Sequence, residues 1–372
     1  MYLEHPDSRQ IVDAIRTMEK EDSDVVFILL GENAGLDVGE VISALNRENI
    51  VFFGGIFPAV VCGDQKTEKG AIIITLPSLA RPLLITGLSS GNMNFPDFRE
   101  ISGALDKQYT ALVFVDGLTA NISLFLQSLF SSLGNAVHYV GGGAGSLTLK
   151  QKPCLFTNDG YFQDAAIIAF IKLRSNLAVR HGWKKIMGPI VATKTDKNVV
   201  IELNWENAFV VYRRTVEETA GKKFTANNFF DIAKGYPFGM LTEGAEDIVR
   251  DPIMVNERGE LVCVGEIPEN AVLNILKGEA SSLLQAADHA AEECLQNLGG
   301  GKVRVNLVFD CISRSLFLKN FSKELKLIQK QIASKSAGNI PVGALTIGEI
   351  SSYGQKYLEF FNKTVVIGTL YE

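Results

Sequence analysis

Apolar residues recur at two spacings in the first part of the chain. Ile11, Ile15 and Met18 follow helical spacing behind a capping box at residues 7–10, which predicts an amphipathic helix. Short apolar runs before and after helical segments predict buried strands, which pair most economically in parallel through right-handed crossovers. Two series of strand, helix and strand are predicted. The first comprises residues 25–30, 41–45 and 50–53, and the second comprises residues 111–115, 122–133 and 136–140.

Other segments indicate that the sheets are mixed. The runs at residues 71–76 and 82–86 are separated by a short turn and are expected to form an antiparallel pair.

In the second half, a capping box at residues 282–285 precedes a helix, and apolar runs predict strands at residues 303–309, 342–347 and 363–370. We predict an α/β protein with two tandem lobes, residues 1–203 and 204–372, and mixed, largely parallel sheets. The sequence shows no convincing internal repeat.

Composition narrows the classes of function. The chain has 372 residues, 47% of them hydrophobic and 21% charged, which is typical of globular proteins. A net charge of -6 and a pI near 5.5 argue against a nucleic-acid partner. Apolar runs are far shorter than the roughly 20 residues of a membrane span, so no membrane association is expected. The N-terminus lacks the pattern of a secretion signal, and we expect a cytoplasmic protein.

Five scattered cysteines predict neither disulfides nor a zinc site. Their number is odd, and none are spaced as Cys-x-x-Cys. Cys311 ends a predicted strand, where ligands gather in α/β folds, and Arg314 follows it. One interpretation is an enzyme in which Cys311 is the nucleophile and Arg314 and Glu349 orient the substrate. The alternative is that Cys311 packs in the core and Arg314 pairs with Asp310 or Glu349.

A glycine run follows the predicted strand at residues 136–140. Residues 141–146 lack the Gly-Lys-Ser/Thr ending of a phosphate loop, and no clear helix follows them. Close backbone packing, or a loop that lines a small-ligand pocket, is the preferred interpretation for Gly142 and Gly143.

Four histidines are the candidates for metal or proton chemistry. His289 lies on the polar side of its predicted helix, His5 lies at the terminus, and His138 lies in a strand where a hydrogen-bonded structural role is the default. His181 is different because Gly182 leaves space beside it and Trp183 offers a flat apolar wall. Haem is a flat ring with two propionate groups, and Arg180, Lys184 and Lys185 supply cations that can pair with those groups, so this segment could hold haem. The alternative is a histidine at a turn after a strand.

The order of these motifs resembles the FIST proteins, with an N-terminal and a C-terminal FIST domain covering nearly all of the chain. Ser313 departs from the glycine that is frequent in the family. The matching motifs are Gly54-Gly55, residues 140–144, 158–160, His181-Gly182-Trp183, Gly188-Pro189, and residues 236–239, 249–252, 309–314, 348–350 and 361–364.

The resemblance implies a sensory, small-ligand-binding protein of signal transduction. Similarity to stand-alone bacterial members implies a non-covalent haem b that binds nitric oxide, with His181 as the iron ligand. Nitric oxide would weaken the bond between iron and imidazole, and the signal would pass to a separate histidine kinase or cyclic-dinucleotide enzyme. The alternative is a haem-free receptor for an amino-acid-like metabolite. The sequence is compatible with a homo-oligomer. Candidate pocket residues are Gly142, Gly143, Cys311, Arg314, Glu349 and Asn362.

Overall fold

The computed structural model of the chain describes residues 1–96, 98, 109–242, 246–296, 298, 300–335, 338–353 and 357–372. The chain forms two lobes: a body of three similar units, and a smaller lobe inserted into the third unit. None of the helices that the structure describes is long and apolar enough to span a bilayer.

The first two units run from residue 2 to residue 171. The first contains β1 (Tyr2–Leu3), α1 (Ser8–Thr17), β2 (Asp24–Gly31), α2 (Val38–Arg47), β3 (Phe52–Phe57), β4 (Ala59–Cys62), β5 (Gln65–Thr67) and β6 (Ala71–Pro77). The second contains β7 (Leu83–Thr86), a 3₁₀ turn (Leu88–Ser90), β8 (Tyr109–Asp116), α3 (Ile122–Leu133), a 3₁₀ turn (Gly134–Ala136), β9 (Val137–Ala144), β10 (Leu155–Thr157), β11 (Gly160–Phe162) and β12 (Ala165–Ile171).

The third unit begins with β13 (Arg174–Arg180) and is then interrupted by the inserted lobe. That lobe contains β14 (Lys184–Val191), β15 (Lys194–Asp196), β16 (Val199–Leu203), β17 (Glu206–Asn207), α4 (Ala208–Ala220), α5 (Phe229–Ala233), β18 (Phe238–Met240), β19 (Ile248–Val255), β20 (Leu261–Val264) and β21 (Val272–Lys277). The third unit resumes with α6 (Ala280–Glu293), β22 (Val303–Cys311), α7 (Ile312–Phe317), α8 (Ser322–Lys335), β23 (Pro341–Thr346), β24 (Glu349–Tyr353), β25 (Tyr357–Phe361) and β26 (Val365–Tyr371).

The three units exchange hairpins in a cycle. The hairpin β4–β5 of unit 1 pairs with β23 of unit 3, β10–β11 of unit 2 pairs with β3 of unit 1, and β24–β25 of unit 3 pairs with β9 of unit 2. Each hairpin thereby completes the sheet of a neighbouring unit. The three sheets have equivalent strand orders: β1-β6-β2-β3-β10-β11, β7-β12-β8-β9-β24-β25 and β13-β26-β22-β23-β4-β5.

A glycine occupies the same register position in each unit. Gly54, Gly141 and Gly343 lie opposite Ile28, Val113 and Val308 in the three parallel strand pairs. A Cβ atom at these glycines would lie 2.3, 1.8 and 1.8 Å from the carbonyl oxygen of the paired residue. The backbones therefore approach too closely for any other residue, and the three units share this local geometry.

The inner faces of the three sheets meet in one core of aromatic side chains. The ring of Phe114 in unit 2 lies 5.0 Å from Phe27 in unit 1 and 5.3 Å from Phe309 in unit 3, measured between ring centroids. These separations are in the range of favourable aromatic pairs. The centre of the body is therefore filled by side chains.

The α/β class and the mixed sheets are confirmed, but the expectation of largely parallel sheets is wrong. Among the described strand pairs, β2–β3, β8–β9 and β22–β23 are parallel and the others are antiparallel, because hairpins and returning strands flank each parallel pair. The expected pairing of residues 71–76 with 82–86 is also wrong. These segments are β6 and β7, which belong to the sheets of units 1 and 2.

Local helix signals were only partly reliable. The capping box at the start of α1 is confirmed, with Asp7 accepting a hydrogen bond from the backbone N–H of Gln10. The box predicted at residues 282–285 is wrong because α6 begins at Ala280, and Ser282 therefore lies inside the helix. The predicted boundary at residue 203 falls in the inserted lobe, at the end of β16, and the division into residues 1–203 and 204–372 stays a prediction.

We predict that Gly141→Ala destabilises the protein by about 1–3 kcal/mol, because the new methyl group overlaps the Val113 carbonyl oxygen and forces the parallel strands apart. Urea unfolding of the full chain measures this difference. Gly235→Ala is the matched control, since its Cβ would lie no closer than 3.5 Å to a neighbouring atom. Equal stability of the two variants would contradict the close approach.

Candidate functional site

A cavity of about 640 Å³ lies where the body joins the inserted lobe. The segment after β13 enters the lobe at His181, and the chain returns to the body after β21. Helix α6 forms one wall of the cavity, and the residues just before β19 form another. The cavity is lined by Arg180, His181, Gly182, Trp183, Lys184, Lys185, Glu246, Asp247, Asn274, Leu276, Ser282, Gln285, Ala286 and His289.

His181 is nearly buried, and its surroundings determine which ring nitrogen carries the proton. The backbone N–H of Trp183 donates to Nδ1 at 2.8 Å, so Nδ1 is an acceptor. The neutral ring therefore carries its proton on Nε2, which lies 3.6 Å from Oε2 of Glu246. Burial lowers the pKa of His181 to about 4, and the cations Arg314 and Arg180 lower it further while Asp247 opposes them. The imidazole is neutral at pH 7.

This arrangement does not fit an axial ligand of haem iron. A ligating imidazole needs a free lone pair on one nitrogen. In His181 the lone pair of Nδ1 accepts a hydrogen bond, and Nε2 carries the proton. Two of the three expected propionate partners are engaged as well, since Arg180 pairs with Glu293 at 2.7 Å and Lys184 pairs with Glu279 at 3.5 Å.

Trp183 and Gly182 serve packing at this junction. The Trp183 indole is buried, its Nε1 donates to the Lys363 carbonyl at 3.1 Å, and its ring lies 5.0 Å from that of Phe317. The Lys363 ammonium lies 4.8 Å from the indole centroid. Gly182 has a φ of +76°, and a Cβ there would lie 2.6 Å from the Ser282 carbonyl oxygen. Protein atoms therefore pack against the Trp183 ring that was expected to stack on haem, and they occupy the space that was expected beside Gly182.

Arg314 stabilises the junction between the body and the inserted lobe. Its guanidinium is fully buried, binds both carboxylate oxygens of Glu324 at 2.8 and 2.9 Å, and lies 3.3 Å from Asp310. It also donates to the carbonyl oxygens of His181 at 2.6 Å and Leu283 at 3.0 Å. Of the two expected partners, the structure selects Asp310 and adds Glu324. Arg314 therefore positions the His181 backbone and does not line the cavity.

Cys311 and Glu349 are also buried. Glu349 accepts hydrogen bonds from the hydroxyls of Thr346 at 2.8 Å and Thr364 at 2.6 Å, and burial raises its pKa to about 8. Burial likewise raises the pKa of the Cys311 thiol, which is 2% exposed. A nucleophilic cysteine needs thiolate character and access to substrate, and Cys311 has neither. Asn362 is buried beside this network, and its Nδ2 has no hydrogen-bond partner.

The glycine run packs against backbone. Gly143 donates its N–H to the Gly348 carbonyl at 2.8 Å, and a Cβ on Gly143 would lie 2.1 Å from the Ile347 carbonyl oxygen. A Cβ on Gly142 would lie 2.8 Å from the Thr346 side chain. The chain after β9 leads to the hairpin β10–β11, so the predicted absence of a phosphate-binding helix at this point is confirmed.

Several cavity residues were missed by sequence reasoning. Glu246 and Asp247 lie in a segment with no recognisable pattern. Asn274 carried a signal, because it is a polar residue in the middle of the buried strand β21; its Nδ2 donates to Asp247 at 2.7 Å, and its Oδ1 has no partner. His289 is exposed on α6 as expected, and its position beside the cavity depends on the docking of that helix.

A family model of the FIST N domain matches residues 86–206, and a model of the FIST C domain matches residues 208–352. The two matches meet inside the inserted lobe, next to the predicted boundary. No curated protein matches the chain.

We predict that His181 makes folding more favourable at neutral than at acidic pH. The folded-state pKa near 4 lies below the unfolded value near 6.5, so the unfolded chain binds more protons as the pH falls through this window. Between about pH 7 and about pH 4.5 the contribution lost is about 2 kcal/mol. His181→Asn keeps an acceptor for the Trp183 N–H and does not titrate. Urea unfolding at both pH values should show a smaller loss in the variant, and parallel losses would contradict the assignment.

Proposed function

The chain belongs to the FIST family, whose domains are sensory ligand-binding domains of signal transduction, and from this premise we propose that its ligand binds in the cavity beside His181. The ligand is a small, amino-acid-like metabolite, and no haem is required. FIST domains are sensory modules and not catalytic ones, which agrees with the burial of Cys311.

The charge arrangement of the cavity is the observation that carries this proposal. The ammonium of Lys185 lines it together with the carboxylates of Glu246 and Asp247. A zwitterion carries both an ammonium and a carboxylate group, so it can pair with both kinds of side chain at once. A volume of about 640 Å³ is ample for such a ligand and lies in the range of small-molecule pockets.

The lining also supplies uncharged hydrogen-bonding groups. Asn274 is 3% exposed, and its Oδ1 lacks a partner, although buried polar atoms are normally paired. Gln285 and His289 lie one turn apart on α6 and are exposed to the cavity. A ligand with several donors and acceptors therefore gains more from this lining than an apolar ligand would.

Position at the junction explains how binding becomes a signal. The cavity is bounded by α6 of the body and by Glu246, Asp247 and Asn274 of the inserted lobe. A ligand that contacts both lobes favours the arrangement in which both walls are in place, and shifts the population toward it. A separate protein would bind the arrangement of lobes that the ligand favours. The family resemblance implies a histidine kinase or a cyclic-dinucleotide enzyme as the candidate partner.

The haem and nitric-oxide hypothesis is the second candidate, and its support is the cavity beside His181. Its weakness is the hydrogen bonding of the ring, because an iron bond requires His181 to lose its contact with the Trp183 N–H or the proton on Nε2.

We predict that a panel of amino acids and related zwitterions contains a compound that stabilises the full chain. Binding at about 100 times Kd should stabilise the folded state by about 2.7 kcal/mol, measured as a rise in Tm. Gln285→Ala should weaken this ligand by about two- to tenfold through loss of one hydrogen bond. Ser281→Ala, one turn earlier on the exposed side of α6, is the matched control. A panel without any saturable effect would count against the proposal.

For haem, we expect haemin-treated protein and the His181→Ala variant to give the same absorbance spectrum, because His181 offers iron no lone pair. Absorbance in the Soret region measures this. A Soret band in the wild-type protein that His181→Ala removes would overturn our choice and establish the haem sensor.

A further inference from the structure

A second cavity, of about 340 Å³, lies at the seam between units 2 and 3. Strand β9 contributes His138, β13 contributes Ser175 and Asn176, β24 contributes Ser352, and the last turn of α6 contributes Glu293. Neither the family resemblance nor the proposed function assigns a role to these residues.

His138 is held in the opposite tautomer to His181. Its Nδ1 lies 2.8 Å from the carbonyl oxygen of Ser175. A carbonyl oxygen only accepts hydrogen bonds, so Nδ1 must carry the proton. Nε2 of the neutral ring therefore keeps its lone pair. This is the arrangement in which a backbone carbonyl orients an imidazole and leaves its second nitrogen available to a ligand.

Ser175 provides an independent sign of a missing partner. The residue lines the cavity, is 1% exposed, and its hydroxyl has no hydrogen-bond partner. Burying an unpaired hydroxyl costs free energy, and native structures contain few such groups. A ligand that reaches this hydroxyl would remove the cost.

The charge of the lining determines the class of ligand. Glu293 is the one ionisable carboxylate among the described residues of this cavity, and none of those residues is a lysine or arginine. Its Oε2 already pairs with Arg180 at 2.7 Å, so Oε1 is the carboxylate oxygen that a ligand in this cavity would use. The Nε2 lone pair of His138 and the hydroxyl oxygens of Ser175 and Ser352 add further acceptors. Several acceptors around one carboxylate match a cation with several N–H donors.

We infer that this second cavity binds a small primary amine in its ammonium form. The ammonium donates hydrogen bonds to His138 Nε2 and to the Ser175 hydroxyl, and it pairs with the Glu293 carboxylate. A quaternary ammonium of similar size has the same charge and no N–H donor, so it does not bind in this way.

The test is isothermal titration calorimetry of the full chain with ethylammonium chloride, with tetramethylammonium chloride at equal ionic strength as the comparison. Saturable heat is expected with ethylammonium and not with tetramethylammonium. Ser175→Ala should weaken ethylammonium by about tenfold, which is the scale of a hydrogen bond to a charged group. Because the Ser175 hydroxyl bonds to no protein group, the same variant should keep or raise Tm.

A second readout reports on the ring directly. With ¹⁵N-labelled histidine, the Nε2 resonance of His138 should shift when ethylammonium is added, because the nitrogen changes from a free acceptor to a hydrogen-bonded one. His5→Ala is the control variant, since His5 is exposed and far from the seam in sequence. It should bind ethylammonium as the wild type does.

Three outcomes would overturn the inference: no saturable heat with ethylammonium, equal heats with tetramethylammonium, or unchanged affinity in Ser175→Ala. These outcomes are distinguishable from those at the cavity beside His181, because Ser175 lines the second cavity and not the first, whereas Gln285 lines the first and not the second. Failure of the zwitterion panel would likewise leave the amine site untouched.

Discussion

The cyclic exchange of hairpins is the constraint on which the rest of the structure depends. Each parallel pair of strands needs a neighbour's hairpin to complete its sheet, so no unit can pair its strand edges alone. The exchange also brings the three inner faces together, where Phe114 contacts Phe27 and Phe309. Units of this kind stabilise one another as adjacent repeats do, and the two cavities described above lie at a seam between units and beside the inserted lobe.

The inserted lobe is attached to this body by buried cations that cross the junction in both directions. Arg250 of the lobe donates to the Phe360 carbonyl of the body at 3.0 Å, and Lys363 of the body pairs with Asp251 of the lobe at 3.0 Å. Removing one partner of a buried pair typically costs about 3–5 kcal/mol, because the remaining charge stays buried. Such contacts favour well-defined relative positions of the two lobes, and a ligand between them can act on those positions.

Two histidines illustrate how the same side chain acquires different chemistry. His181 accepts a hydrogen bond at Nδ1 from the Trp183 N–H, whereas His138 donates from Nδ1 to the Ser175 carbonyl. The first ring offers a protonated nitrogen to its surroundings and the second offers a lone pair. The more conspicuous sequence motif surrounds His181, yet the freer lone pair belongs to His138. The backbone groups that hydrogen-bond to a histidine ring therefore predict its ability to bind a ligand better than the neighbouring residues in the sequence do.

The sequence by itself determined the α/β class, most strands, the capped start of α1 and the membership in a sensory family, because these depend on local periodicity, local hydrogen bonds and ordered motifs. It also pointed to residues 180–185 as the edge of a site. Only the tertiary structure decided which strands pair, that three units repeat, and that Arg314 and Trp183 are structural. The physical reason is that these properties depend on contacts between residues far apart in the chain. Gly54, Gly141 and Gly343 share a register position that becomes visible only when the strands are paired, and Glu246 and Asn274 become neighbours of His181 only when the inserted lobe docks.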